Sequence, residues 1–142
     1  MDTFVNTFDF GNGPVPAHQH SNGGGWVADT ATVAESAYVG PDARVSGDAI
    51  VSDKAKVFDN ASVSGDAEVY DNAWVSGDAN VSGEAQVFGE AQVYGNARVF
   101  DNASVFGEAQ VFGEAQVYDD AWVYGNASVS GDTRVFGESI LG

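Results

Sequence analysis

The chain has 142 residues, 44% of them hydrophobic, with 21 acidic and 5 basic side chains and a formal net charge of −16. This balance argues against direct binding to nucleic acids or anionic membranes, because both require basic side chains to neutralise phosphate. The absence of cysteine excludes disulfides and thiol chemistry. The sequence contains no apolar run of about 18 residues, so it predicts no membrane span. No secretory signal is recognisable at the start.

Residues 1–25 differ in pattern from the rest of the chain. Apolar Phe4, Val5, Phe8 and Phe10 precede the stretch GNGPVPAHQHSNGGG, whose Gly, Pro and Asn residues are typical of a loop. A repeat array needs its ends covered, because otherwise the apolar core and the strand edges stay exposed. We interpret this segment as an N-terminal cap whose Phe side chains plug the first coil of the repeats that follow.

Residues 26–142 form an unbroken six-residue repeat. An aliphatic residue recurs every six positions from Val27 to Leu141, and alanine lies two positions earlier from Ala31 to Ala127. Positions two apart share one side of a strand, and the Gly–acid or Asp–Asn pairs that follow form turns and tolerate positive φ. Each hexapeptide therefore predicts a short strand and a tight corner, because a period of six would spread apolar positions all around a helix.

Strands this short cannot bury an Ala/Val face alone, so the repeat predicts strands coiled around an apolar axis, with rungs about 4.8 Å apart. The segments ARVSGDA, ASVSGDAEVYDNA and AQVYGNARVFDNA resemble the hexapeptide-repeat left-handed β-helix, in particular the YdcK-type β-solenoid. The resemblance covers about residues 26–142. It implies an all-β, parallel, left-handed solenoid of triangular section, with three hexapeptides per coil and about six and a half coils.

The N-terminal stretch FGNGPVPAHQHSNGGGWVADTA is similar to N-termini of bacteriophage and bacterial solenoid proteins. The similarity implies a bacterial or phage-encoded protein. With no secretory signal, the expected location is the bacterial cytoplasm or a virion.

Aromatic residues recur at the outward position that follows the buried valine. With eighteen residues per coil, one face carries a column of four aromatic residues, namely Tyr70, Phe88, Phe106 and Tyr124. Such rings can simply stack and stiffen the solenoid, or they can form a contact surface. We predict self-association along this face, and the family resemblance implies a homotrimer.

The corners also form columns rich in acidic and amide side chains. One column reads Asp48, Asp66, Glu84, Asn102, Asp120 and Glu138, and another reads Asp42, Asn60, Asp78, Asn96, Glu114 and Asp132. Solvated turns explain both columns. Calcium binding is a weaker hypothesis, because the nonapeptide calcium motif of other solenoids is absent. A third hypothesis is that the acids mimic DNA phosphates and occupy a basic, DNA-binding protein partner.

The sequence predicts no catalytic residue, cofactor or metal site. Many left-handed hexapeptide helices are acyltransferases that use coenzyme A, and the resemblance implies that such an enzyme needs a histidine base placed by the coils or a protruding loop. Here the histidines are His18 and His20, both before the repeats, and they form at most a weak candidate polar site. Two histidines do not make a zinc site by themselves. We therefore predict a non-enzymatic structural or interaction protein; the alternatives are an acidic DNA mimic and an acyltransferase-like enzyme.

Overall fold

The computed structural model describes residues 6–11 and 13–142, and every regular element in these ranges is a β-strand. These ranges accordingly contain no helix that could cross a membrane. The strands are β1 Thr7–Asp9, β2 Pro14–Gln19, β3 Trp26–Ala28, β4 Thr32–Val33, β5 Tyr38–Val39, β6 Arg44–Val45, β7 Ile50–Val51, β8 Lys56–Val57, β9 Ser62–Val63, β10 Glu68–Val69, β11 Trp74–Val75, β12 Asn80–Val81, β13 Gln86–Val87, β14 Gln92–Val93, β15 Arg98–Val99, β16 Ser104–Val105, β17 Gln110–Val111, β18 Gln116–Val117, β19 Trp122–Val123, β20 Ser128–Val129, β21 Arg134–Val135 and β22 Ile140–Leu141.

The repeat strands stack into three parallel sheets, which the chain visits in turn. Face 1 consists of β3, β6, β9, β12, β15, β18 and β21; face 2 of β4, β7, β10, β13, β16, β19 and β22; face 3 of β5, β8, β11, β14, β17 and β20. Val69 pairs with Val51 on one side and with Val87 on the other, eighteen residues away in each direction. The prediction of an all-β parallel solenoid with three hexapeptides per coil is confirmed.

The alanine and valine columns fill the axis of the solenoid. From Ala37 to Val123 every member of both columns is at most 1% exposed. Burying one valine side chain contributes about 1.5–3 kcal/mol, and the small alanine beside it lets the three faces approach closely. The same set of Ala and Val side chains therefore fills the axis of every complete coil between Ala37 and Val123, and each coil packs against its neighbours.

The corners continue the hydrogen-bond ladder of the strands. The N–H of Asp66, for example, donates to the carbonyl of Gly83 one coil later at 2.8 Å. The preceding Gly65 has φ of 64°, and a Cβ there would lie 3.0 Å from the backbone nitrogen of Gly83. Glycine at this position thus serves both the left-handed conformation and the close approach of successive corners.

The N-terminal segment is more ordered than its loop-like composition predicts. β1 and β2 form an antiparallel hairpin, and β2 pairs antiparallel with β3, so both strands extend face 1 beyond the first coil. Pro14 and Pro16 lie beyond the residues of β2 that pair with β3, which run from Ala17 to Gln19, so their missing N–H groups leave that pairing intact.

The phenylalanines of the cap do not plug the axis where the structure describes them. Phe8 stacks on the outward-facing ring of Trp26 at a centroid distance of 5.0 Å, and Phe10 meets Phe8 edge-on at 4.8 Å. The guanidinium of Arg44 lies 5.1 Å from the Phe8 centroid on the same outer surface. The predicted plug was wrong for these two side chains, because the hairpin places them on the outside of face 1. Phe4 and Val5 lie outside the described residues.

Candidate interaction surface

Face 2 carries a continuous aromatic ladder, formed by Tyr70, Phe88, Phe106 and Tyr124. Successive ring centroids are 4.8, 4.9 and 5.1 Å apart, and the ring planes differ by 2–8°. All four rings are half-buried. The stacking follows from the register, because parallel coils place equivalent positions about one strand spacing apart, which is ring-contact distance.

The strands of face 2 add exposed apolar side chains beside the ladder. Trp122 is 49% exposed and meets Phe106 edge-on at 6.0 Å, while Ile50 and Ile140 are 40% and 64% exposed. Glu68 is the only charged residue within the seven described strands of this face. An apolar surface of this kind, bordered by acidic corners, has the composition of a protein contact area.

At the Tyr70 end of the ladder, the surroundings disfavour ionisation of the phenol hydroxyl. Burial raises the pKa of Tyr70 above its ordinary value of 10.0, and the neighbouring carboxylates of Glu68, Asp71 and Asp53 raise this pKa further. The Tyr70 side chain is therefore a neutral hydrogen-bonding group at physiological pH, suited to a contact and unsuited to act as a general base.

Aromatic stacking also occurs on the other two faces. Phe100, Tyr118 and Phe136 stack on face 1 at 4.9 and 5.5 Å, and Tyr94 stacks on Phe112 of face 3 at 4.9 Å. Stacking alone therefore does not distinguish a contact surface. What distinguishes face 2 is the combination of the longest ladder with exposed apolar residues along its strands, a feature that the sequence analysis missed because Trp122 occupies the strand position between Ala and Val.

The structure separates the two histidines that form the weak candidate polar site. His18 lies in β2 with its ring half exposed, and its Nδ1 is 2.8 Å from Oδ1 of Asp29. His20 is only 6% exposed, and its Nε2 lies 2.8 Å from the carbonyl oxygen of Ala37. A carbonyl can only accept, so Nε2 of His20 carries the proton.

His20 completes the edge of face 3. The next carbonyl in the same column, that of Ala55, accepts the backbone N–H of Tyr38 from the preceding coil at 3.0 Å. The Ala37 carbonyl has no such coil before it and accepts instead from the side chains of His20 and Asn22, the latter at 3.1 Å. The role that the geometry gives His20 is thus to cap an unpaired strand edge.

The acidic side chains are concentrated at the corners. Of the 21 acids, Asp2 is outside the described residues, and all the others except Asp9 and Glu68 lie at the corners. Aspartate adopts the left-handed conformation, with φ of 56–59°, at Asp53, Asp59, Asp71, Asp101 and Asp119. Each of these five carboxylates accepts the backbone N–H of the equivalent residue one coil later, at 3.0–3.3 Å.

These five carboxylates therefore bond within the fold. They occupy the first position of each corner and belong to neither of the two acidic columns that the sequence analysis singled out. The described residues contain no group of three or more His, Cys, Asp or Glu side chains placed to hold a metal ion.

Comparison with known families assigns the repeat. A family model described as YdcK Beta solenoid repeat matches residues 91–107 and 115–131. These two segments of the chain are similar to the YdcK β-solenoid repeat. The two matched segments include β14 to β16 and β18 to β20, so the YdcK repeat as the family describes it corresponds to coils that run through all three faces. Neither the curated proteins nor the solved structures that were searched gave a match.

Proposed function

We propose that this β-solenoid is a non-enzymatic structural protein that self-associates through face 2, with a homotrimer as the assembled state. The observation that carries the proposal is the aromatic ladder together with the exposed Trp122, Ile50 and Ile140 on the same face. A large apolar residue gains about 1.5–3 kcal/mol on full burial, so several such residues in one interface supply the energy that a stable contact needs.

Charge favours face 2 over the corners as the contact. A chain of net charge −16 repels its own copies, and this repulsion is strongest where acidic corners meet. Two copies that meet along face 2 keep most carboxylates in solvent, because the strands of that face carry only Glu68. Added salt screens the remaining repulsion, so the proposed association strengthens as the ionic strength rises.

The rigidity of the solenoid supports a structural role. Between Trp26 and the last strand no loop interrupts the hexapeptides, and each strand pairs in register with its neighbours one coil away. His20, the more buried of the two histidines, donates its Nε2 proton to the carbonyl of Ala37. A histidine already engaged in this bond favours the structural proposal over a histidine-dependent acyltransferase.

The test is sedimentation of the whole protein across a range of concentration and salt, with Phe106→Ser compared against Tyr118→Ser. Both rings are half-buried and stacked between two aromatic neighbours, but Phe106 lies on face 2 and Tyr118 on face 1. We expect a trimer that Phe106→Ser weakens by at least about tenfold in dissociation constant and that Tyr118→Ser leaves unchanged. A monomer under all conditions, or equal effects of the two substitutions, would overturn self-association through face 2.

A further inference from the structure

A concave site of about 550 Å³ lies on face 3, away from the aromatic ladder of face 2. It is lined by Tyr38, Pro41, Asp42, Lys56, Phe58, Asp59 and Trp74. The site exists because the column of Phe58 is interrupted: the equivalent positions one coil earlier and one coil later are Gly40 and Ser76. Phe58 thus lacks the parallel stacking partners of the ladder rings, and its ring lines the site instead.

The aromatic rings of this site present their surfaces at an angle to one another. Trp74 is 40% exposed and stands nearly perpendicular to Phe58, at 78° and a centroid distance of 5.8 Å. Tyr38 lies on the same face two coils before Trp74, so their backbones are about 10 Å apart. Lys56 lies between these two coils, with its ammonium 5.4 Å from the Trp74 ring.

The rim supplies both donors and acceptors of hydrogen bonds. The ammonium of Lys56 donates, and the phenol of Tyr38 can do both. The exposed carboxylates of Asp42 and Asp59 accept. One oxygen of Asp59 is held by the N–H of Gly77 at 3.1 Å, which fixes the carboxylate and leaves its other oxygen for a ligand.

From this arrangement we infer that face 3 binds a neutral carbohydrate, with sugar rings lying against Trp74 and Tyr38 and their hydroxyls bonded to the rim. Sugar rings have apolar C–H surfaces that fit an exposed aromatic face, and their hydroxyls both donate and accept, as the mixed rim requires. An anionic ligand would meet Asp42, Asp59 and the net charge of −16. A cationic ligand at Trp74 would be repelled by the positive charge of the Lys56 ammonium, which lies 5.4 Å from the ring centroid.

The test is a calorimetric titration of the whole protein with short neutral oligosaccharides of β-1,4-linked glucose and of N-acetylglucosamine. Choline and glucose 6-phosphate serve as cationic and anionic probes. Trp74→Ala is compared with Phe136→Ala, because both are exposed aromatic residues beside another ring, and Phe136 lies on face 1, away from this site and from the proposed trimer contact. Circular dichroism of both variants verifies that the solenoid is intact.

We expect binding of at least one neutral oligosaccharide, an affinity loss of at least about tenfold in Trp74→Ala, and unchanged affinity in Phe136→Ala. The inference is overturned if no neutral oligosaccharide binds, if Trp74→Ala binds as well as the unaltered protein, or if choline or glucose 6-phosphate binds at the same site equally well. The proposed trimer is unaffected by any of these outcomes, since Trp74 lies on face 3 and the trimer contact on face 2.

Discussion

At the residue scale, Asp71 shows how a corner stores and offsets backbone strain. Its φ of 58° lies in the left-handed region, which costs a residue with a Cβ about 1–2 kcal/mol. Its Oδ2 offsets part of that cost by accepting the N–H of Gly89 at 3.1 Å. Asp71→Ala should therefore lower the free energy of unfolding by about 1–2 kcal/mol, and Asp71→Gly by much less, because glycine adopts positive φ without a steric cost.

Urea unfolding followed by circular dichroism measures both changes. Asn72→Ala, at the next position of the same corner, is the control and should stay within about 0.5 kcal/mol of the unaltered protein. Equal losses for the alanine and glycine variants at position 71 would show that φ does not determine the choice of residue at this corner.

The corner residues also mark the limit of what the sequence predicts at this scale. Gly and Asp in the corner pairs predict tolerance of positive φ, and this is confirmed at Gly65 and Asp71. The carboxylate-to-amide bond between coils was not predicted. The spacing of the coils follows from strand pairing, but a pattern of residue types does not express which way the side chain of Asp71 turns at its corner.

At the element scale, β2 and the loop after it form an edge cap. The loop binds β5 through the N–H of Gly25, which donates to Val39 at 3.0 Å, and through the side chain of His20 on the Ala37 carbonyl. The sequence predicts that a cap is needed here, but Pro14 and Pro16 conceal a strand, since they disfavour strand pairing except at edges and ends. The outward placement of Phe8 could not be predicted either, because an apolar side chain can pack on an outward-facing aromatic ring as well as inside the apolar axis of the solenoid.

His20→Ala should loosen the first coil without unfolding the rest. Removing a buried hydrogen-bond donor costs about 1–3 kcal/mol, and in a solenoid that cost falls on the nearest coil, since each coil contacts only its neighbours. Hydrogen exchange should show faster exchange of the Val39 amide, which donates to the carbonyl of Asn22 in the cap, and unchanged exchange of the Val93 amide. His18→Ala, on the exposed side of β2, is the control. Uniformly faster exchange along the chain would contradict a local cap.

At the scale of the whole molecule, the six-residue period predicted short strands and corners wound around an apolar axis, and the family resemblance implied the coil of three hexapeptides. An eighteen-residue coil brings each valine into register with the next, so the buried columns and the ring ladder both follow from counting. The surroundings of the outward-facing tryptophans did not follow from the period of the repeat. Trp74 and Trp122 occupy equivalent hexapeptide positions, yet one borders a cavity and the other a continuous ladder, because their neighbours one coil away differ.

The same architecture makes the solenoid depend on an unbroken apolar axis, which Val93→Asp tests. Val93 is 0% exposed near the middle of the chain, and a carboxylate in its place has no partner within the columns of Ala and Val. We expect a loss of more than about 4 kcal/mol and of the β-sheet signal in circular dichroism, because a buried unpaired charge is among the most destabilising changes known.

Gln92→Asp is the matched control, since it adds the same charge one residue earlier on the outward side of the same strand, where solvent reaches it. Thermal unfolding of the two variants side by side separates burial from added repulsion. If Gln92→Asp were as damaging as Val93→Asp, the net charge of −16 rather than the integrity of the axis would set the stability of the molecule.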